Sequence, residues 1–223
     1  MKGSWRKYGL TLLAVGFLAN GEGCRRGRAG NAERRPIFWV MDESPDNDLP
    51  TIRFHFAPPH DAYAGEVRRV QGAIHFDDEF RLGRDGGWFS VDVTNVTLGE
   101  PDLDENVRNN VEFLFGKQFP VSKYVIRSIT AGRERIQGSS PVEITLHGDF
   151  QLKGVTIPLS VPAKMEYAKD SRDASVLLMS GSFSLEKLRE TYGISGPGHE
   201  NDPAGNRLTF EFHFTLVRGN PKP

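Results

Sequence analysis

From Val142 to Leu152 the chain alternates apolar and polar residues almost without interruption. Val142, Ile144, Leu146, Phe150 and Leu152 fall on one face, with Gly148 the single gap. Glu143, Thr145, His147, Asp149 and Gln151 fall on the other. Side chains of a strand point alternately to opposite faces, so this run is a half-buried strand with one wet side. At about 3.4 Å per residue it reaches roughly 35 Å, well beyond an average strand. After Lys153-Gly154 the alternation resumes through Val155, Ile157, Leu159, Val161, Ala163, Met165 and Tyr167. Two long strands joined this tightly form a tall one-sided hairpin, which needs a barrel or a deep sandwich to cover its apolar face.

The rest of the chain repeats the pattern. Ile52, Phe54 and Phe56 alternate with Arg53 and His55, and Phe89, Val91 and Val93 with Ser90 and Asp92. Ile74 and Phe76 follow Gly72, but Val67 and Val70 have opposite parity, which predicts a bulge between those two valines. Tyr124 and Ile126 mark a strand whose inward side the sequence leaves open. Leu177, Met179 and Phe183 mark another, with Gly181 on their face, and Leu208, Phe210, Phe212, Phe214 and Leu216 mark the last. This gives about eight strands at meander spacing. Two segments follow helical spacing instead. Val107, Val111, Leu114 and Phe115 predict a short helix within 104–115, and a second runs over Leu185–Tyr192, ended by Gly193.

The 223-residue chain carries a formal charge of −1, which gives no electrostatic case for nucleic-acid binding. Its N-terminus reads as a secretory signal over residues 1–24: Lys2, Arg6 and Lys7 precede an apolar stretch from Gly9 to Ala19 that is too short to span a bilayer. The single cysteine, Cys24, follows it and has no internal disulfide partner. Its position resembles the lipidation cysteine of a bacterial lipoprotein, although Gly21 and Glu22 depart from that pattern; the alternative is an ordinary signal peptide cleaved nearby. Residues 25–49 read as a charged tether or N-terminal extension with one apolar island, Ile37–Met41, taken as a strand rather than a docked plug. The folded domain is expected over 50–218.

Several segments, in this order and spacing, resemble the YceI-like family of exported lipid-binding proteins. Gly65-Glu66-Val67 leading to Gly72-Ala73-Ile74-His75-Phe76-Asp77 is similar to the family's first hairpin, and 109–120, with Phe113, Leu114, Phe119 and Pro120, to its helix and strand entry. The most specific match is Gly148-Asp149-Phe150-Gln151-Leu152-Lys153-Gly154-Val155-Thr156-Ile157-Pro158-Leu159. Ser182-Phe183-Ser184 through Tyr192-Gly193-Ile194 resembles the closing segment. Two departures are Pro58, where many members carry a His, and an altered charged segment at Asp102–Asn106. The resemblance implies a mainly β fold, an antiparallel lipocalin-like barrel with one or two short helices, holding a long isoprenoid or fatty lipid in its lumen. It also implies a bacterial periplasmic or envelope location, with membrane anchoring through Cys24 if that residue is lipidated.

The candidate ligand-contacting residues are Phe54, Phe76, Phe89, Val91, Leu146, Phe150, Leu152, Ile157, Leu159, Phe183, Phe210 and Phe212. Such a surface suits a hydrocarbon and offers little to a sugar or nucleotide. Plain core packing is the competing reading of each residue, in which case the protein is a structural or interaction module with a filled barrel. A lipid-modifying enzyme ranks third. The chain has no Gly-x-Ser-x-Gly elbow, and its cysteine lies in the export region. The histidines, among them His55, His60 and His199, lack metal-ligand spacing. Neither catalytic residue, cofactor nor metal is therefore expected. His147 and His213 are expected on the wet faces.

Overall fold

The computed structural model describes residues 37–41, 52–67, 69–134, 136, 140–168, 176–199 and 202–219. All lie in the second of the two units into which the chain divides, Arg34–Pro223. The expected signal segment, most of the tether and Cys24 fall outside the described residues.

In chain order the strands are β1 (Ile37–Met41), β2 (Ile52–Phe56), β3 (Ala64–Val67), β4 (Val70–Phe76), β5 (Leu82–Asp92), β6 (Val96–Thr97), β7 (Val121–Ala131), β8 (Val142–Leu152), β9 (Val155–Tyr167), β10 (Val176–Glu186) and β11 (Arg207–Arg218). Helix α1 (Pro101–Asn109) lies between β6 and β7, and α2 (Leu188–Tyr192) between β10 and β11. Antiparallel pairing runs β1-β4-β5-β7-β8-β9-β10-β11 and returns to β1, closing an eight-stranded barrel. At the other end of the barrel β2 takes the place of β1 beside β11, and β3 and β6 continue the wall from it. The apolar island at Ile37–Met41 is thus a barrel strand, and the barrel begins ahead of residue 50. Val67 and Val70 do not flank a bulge within one strand: both are buried because β3 ends at the first and β4 begins at the second, and the register shift of β4 lies at Ile74/Phe76.

The opening hairpin has the expected bounds and pairs residue for residue from Val142↔Met165 to Leu152↔Val155. Lys153 and Gly154 both have positive φ (49° and 79°), the conformation a two-residue hairpin turn requires. In β7, Tyr124 and Ile126 face inward, and a register shift between Ile126 and Ser128 changes the parity beyond them.

The first helix starts and stops earlier than its apolar spacing indicates. Pro101 sits at its N-terminus with Asp102 and Asp104 in the first turn, both favourable there. The asparagines end it: Asn110 is extended and its side-chain oxygen accepts from the Glu112 amide, a local bond that competes with helix. Val111 therefore lies beyond the helix and is 60% exposed. The second helix begins at Leu188, because β10 holds Leu185 and Glu186 in register with β11.

The core fills the end of the barrel closed by β1. Trp39, Phe76, Val142, Met165, Leu177 and Leu216 are at most 2% exposed there. Phe80, stacked 6.2 Å from Phe76, and Ile136 also belong to this core. The turn carrying Phe80 is organised by Asp77, whose carboxylate accepts from the amides of Glu79 and Arg81 and from Arg81 Nε.

Candidate functional site

The opposite end, where α1 and α2 lie, is hollow. A cavity of about 340 Å³ is walled by β2, β5, β8, β10 and β11 and roofed by Leu103, Val107, Phe113 and Leu114 on one side and Ile194–Gly198 on the other. A smaller void of about 70 Å³ continues inward, sharing Ile52, Val91, Ser122, Phe150 and Phe183 with the first. Its lining includes Phe89, Tyr124, Leu146, Phe212 and Phe214.

Strand register explains why aromatic side chains leave this space open. Phe183, Phe210, Phe54 and Gly65 form one cross-strand row over β10, β11, β2 and β3. Phe183 and Phe210 stack at 4.9 Å with an 11° interplanar angle, and Phe54 lies 6.0 Å from Phe210. The Phe54 ring covers Gly65 so closely that an added Cβ would overlap it. The same device recurs where Phe89 covers Gly72, Tyr124 covers Gly148 and Phe212 covers Gly181. Rings seated on glycines lie along the wall instead of crossing the lumen. Gly148 and Gly181 thus accommodate rings rather than leaving gaps.

The roof is fastened by polar contacts outside the lining. Asp104 is buried and accepts hydrogen bonds from Thr97 Oγ1 (2.6 Å) and the Leu98 amide (2.5 Å), with Arg108 3.4 Å away. Arg108 Nε donates to the Val96 carbonyl, so two residues of α1 tie it to β6. Burial raises the Asp104 pKa, but the bonds from Thr97 and Leu98 and the charge of Arg108 outweigh it and leave the pKa lowered. Lys153 Nζ donates to the carbonyls of Val111 (2.6 Å) and Gly193 (2.7 Å), joining the two roof segments, and burial lowers its pKa. His60 Nε2 and Asp202 Oδ2 lie 2.7 Å apart, so the polar spots at His55–His60 and His199–Asp202 meet at the rim. Among the described residues no three His, Cys, Asp or Glu side chains are placed to share a metal ion.

Of the twelve candidate residues, Phe54, Val91, Phe150, Leu152, Phe183 and Phe210 line the larger cavity. Phe89, Leu146, Leu159 and Phe212 line the smaller. Two line neither. Phe76 belongs to the packed end, and Ile157 is half-buried against the core. Both are inward by parity, but parity does not say how far along the barrel a residue sits. The roof residues of α1 and of the Ile194–Gly198 loop were not among the candidates; the apolar spacing of Val107 and Leu114 was their one sequence signal. On the wet face His147 bonds Thr130 Oγ1 (3.0 Å) and Ser160 Oγ (2.8 Å), and His213 is exposed.

The sequence profile of the YceI-like domain matches residues 46–216, more than half of the chain. No curated protein sequence matches. Among solved structures, a polyisoprenoid-binding domain from Saccharophagus degradans superposes with a TM-score of 0.57 at 10% identity, over 82% of this chain and 99% of that one. BcnA of Burkholderia cenocepacia gives 0.56 at 14% identity, over 74% of this chain and 94% of that one. The YceI protein of Campylobacter jejuni gives 0.55 at 10% identity, over 70% and 85%. At these identities the superpositions establish a common fold, while the profile match establishes membership: the chain belongs to the YceI-like domain family.

Proposed function

We propose that this protein is a lipid carrier that holds one isoprenoid or other apolar chain in the hollow end of its barrel. The observation that carries the reading is the continuous apolar void, about 340 Å³ leading into about 70 Å³. Its size is at the lower end of ligand pockets, and its lining gains from excluding water but can direct few polar contacts. The Saccharophagus degradans protein of the same fold is a polyisoprenoid-binding domain, which supports the same class of cargo here. A solid structural barrel accounts for the packed half but not for the void.

The carrier makes and breaks no bond. In support, the Ser122 hydroxyl within the lining donates to the Gln151 carbonyl (2.8 Å) rather than to a base. The protein works outside the cytoplasm, exported by residues 1–24, and Cys24 anchors it to a membrane. Mass spectrometry of organic extracts from natively purified protein tests the carrier reading. A stoichiometric lipid, or uptake of an added isoprenoid quinone, is expected; neither being found would defeat it. Cys24→Ser followed by cell fractionation tests the anchor, and unchanged membrane partition would overturn it.

A further inference from the structure

We infer that the cavity selects lipids with an uncharged head and rejects the carboxylate or phosphate form of the same chain. This rests on the carrier reading and narrows it. Among the described residues, no Asp, Glu, Lys, Arg or His side chain lines the larger cavity. Lys123 is the one charged residue beside the smaller void, and its ammonium lies over the Trp88 ring, 5.4 Å from the centroid. Lys123 also has opposite parity to the inward-facing Ser122 and Tyr124, which places its charge on the outer wall.

Three sets of ionisable groups near the mouth bond to the protein itself. From the β2–β3 turn, His60 is held by Asp202 of the facing loop, and this pair sits behind Gly198. From the β8–β9 turn, Lys153 is spent on two carbonyls. From α1, Asp104 and Arg108 are bonded to β6 and to each other. An anionic head drawn into the cavity thus meets no cation among the described lining residues, and burying it unpaired is costly. What the mouth offers is neutral. Asn106 lines it, and its Oδ1 already accepts from Asn110 (3.0 Å), which leaves the amide NH₂ as donor for a hydroxyl or carbonyl head.

An acid can still enter as its protonated form. Its binding should then follow the protonated fraction, about one part in a thousand at pH 7.5 for an ordinary carboxyl near 4.3. Calorimetric titration of the full chain with dodecanol, dodecanoate and dodecyl phosphate separates heads on one tail. Dodecanol is expected to bind, dodecanoate at least tenfold more weakly at pH 7.5, and dodecyl phosphate more weakly than dodecanol. The gap between dodecanol and dodecanoate should close as pH falls to 5. Asn106→Lys, at an exposed position, exchanges the neutral donor for a cation at the mouth and should raise the ratio of dodecanoate to dodecanol affinity at pH 7.5 about tenfold. Dodecanoate binding within threefold of dodecanol at pH 7.5 would overturn head selection and leave the carrier reading intact. Binding by none of the three probes would remove the cavity as a lipid site and take both readings down together.

Discussion

The two ends of this barrel are built from the same strands with the same inward parity, yet one is solid and the other hollow. At the β1 end, Trp39, Met165, Leu177 and Val142 converge, and Phe80 and Ile136 from the adjoining turns add to the same core. Met adapts to irregular gaps and Trp brings a large apolar body, so the centre fills. At the α1 end the large inward residues are phenylalanines from adjacent strands. They satisfy one another by stacking along the wall and over glycines, and the axis stays free. A filled lumen and a binding lumen differ here in which side chain meets which, not in how apolar they are.

The largest effect that tests this contrast is expected from Trp39→Ala, which should cost about 3–5 kcal/mol in urea unfolding. Phe210→Ala, at a ring that already borders a void, should cost well under half as much. Equal costs would erase the distinction between the two ends. Next, Val91→Trp places a large ring where the two voids meet. Lipid uptake should drop about tenfold, equivalent to about 1.4 kcal/mol, while the urea midpoint moves little; undiminished uptake would put the ligand elsewhere. Gly181→Ala should destabilise by about 1–3 kcal/mol through overlap with the Pro162 carbonyl and the Phe212 ring. A neutral result would show that the ring is not seated on that glycine.

The smallest effect concerns the roof. Asp104→Asn should cost about 1–2 kcal/mol at pH 7 by weakening charge-assisted bonds to Thr97 and Leu98. The folded pKa of Asp104 is lowered from its ordinary 3.8. Its stabilisation is therefore present above the unfolded pKa and lost as pH falls through the folded one. Urea midpoints measured from pH 5 to 2 should converge for the native protein and the variant. A constant gap would assign the cost to packing instead.

The strands were legible because period-two alternation is a local signal. Val142–Leu152 and its return strand could be bounded to the residue, and positive φ at Lys153-Gly154 completes a turn that the sequence marks with glycine. The end of α1 was less legible. Val111 and Leu114 keep helical spacing, but the Asn110 side chain offers the backbone a competing bond, and the chain turns before Val111 can join the apolar face. The hydrogen-bond partners of Asp104 were not legible, because they lie on β6 and in the Leu98 turn, outside the helix pattern.

The sequence by itself determined the β class, the approximate strand count, the inward faces of all the long strands but the one at Tyr124–Ile126, and the tall central hairpin, because side-chain direction in a strand follows from chain geometry alone. Tertiary structure decided that Phe76 packs and Phe150 lines a cavity, that His60 meets Asp202, and that Ile37–Met41 closes the barrel. Those outcomes depend on register between strands far apart in sequence, and on which inward side chains face one another across the lumen. Alternation records which way a side chain points; only closure of the barrel sets what it meets there.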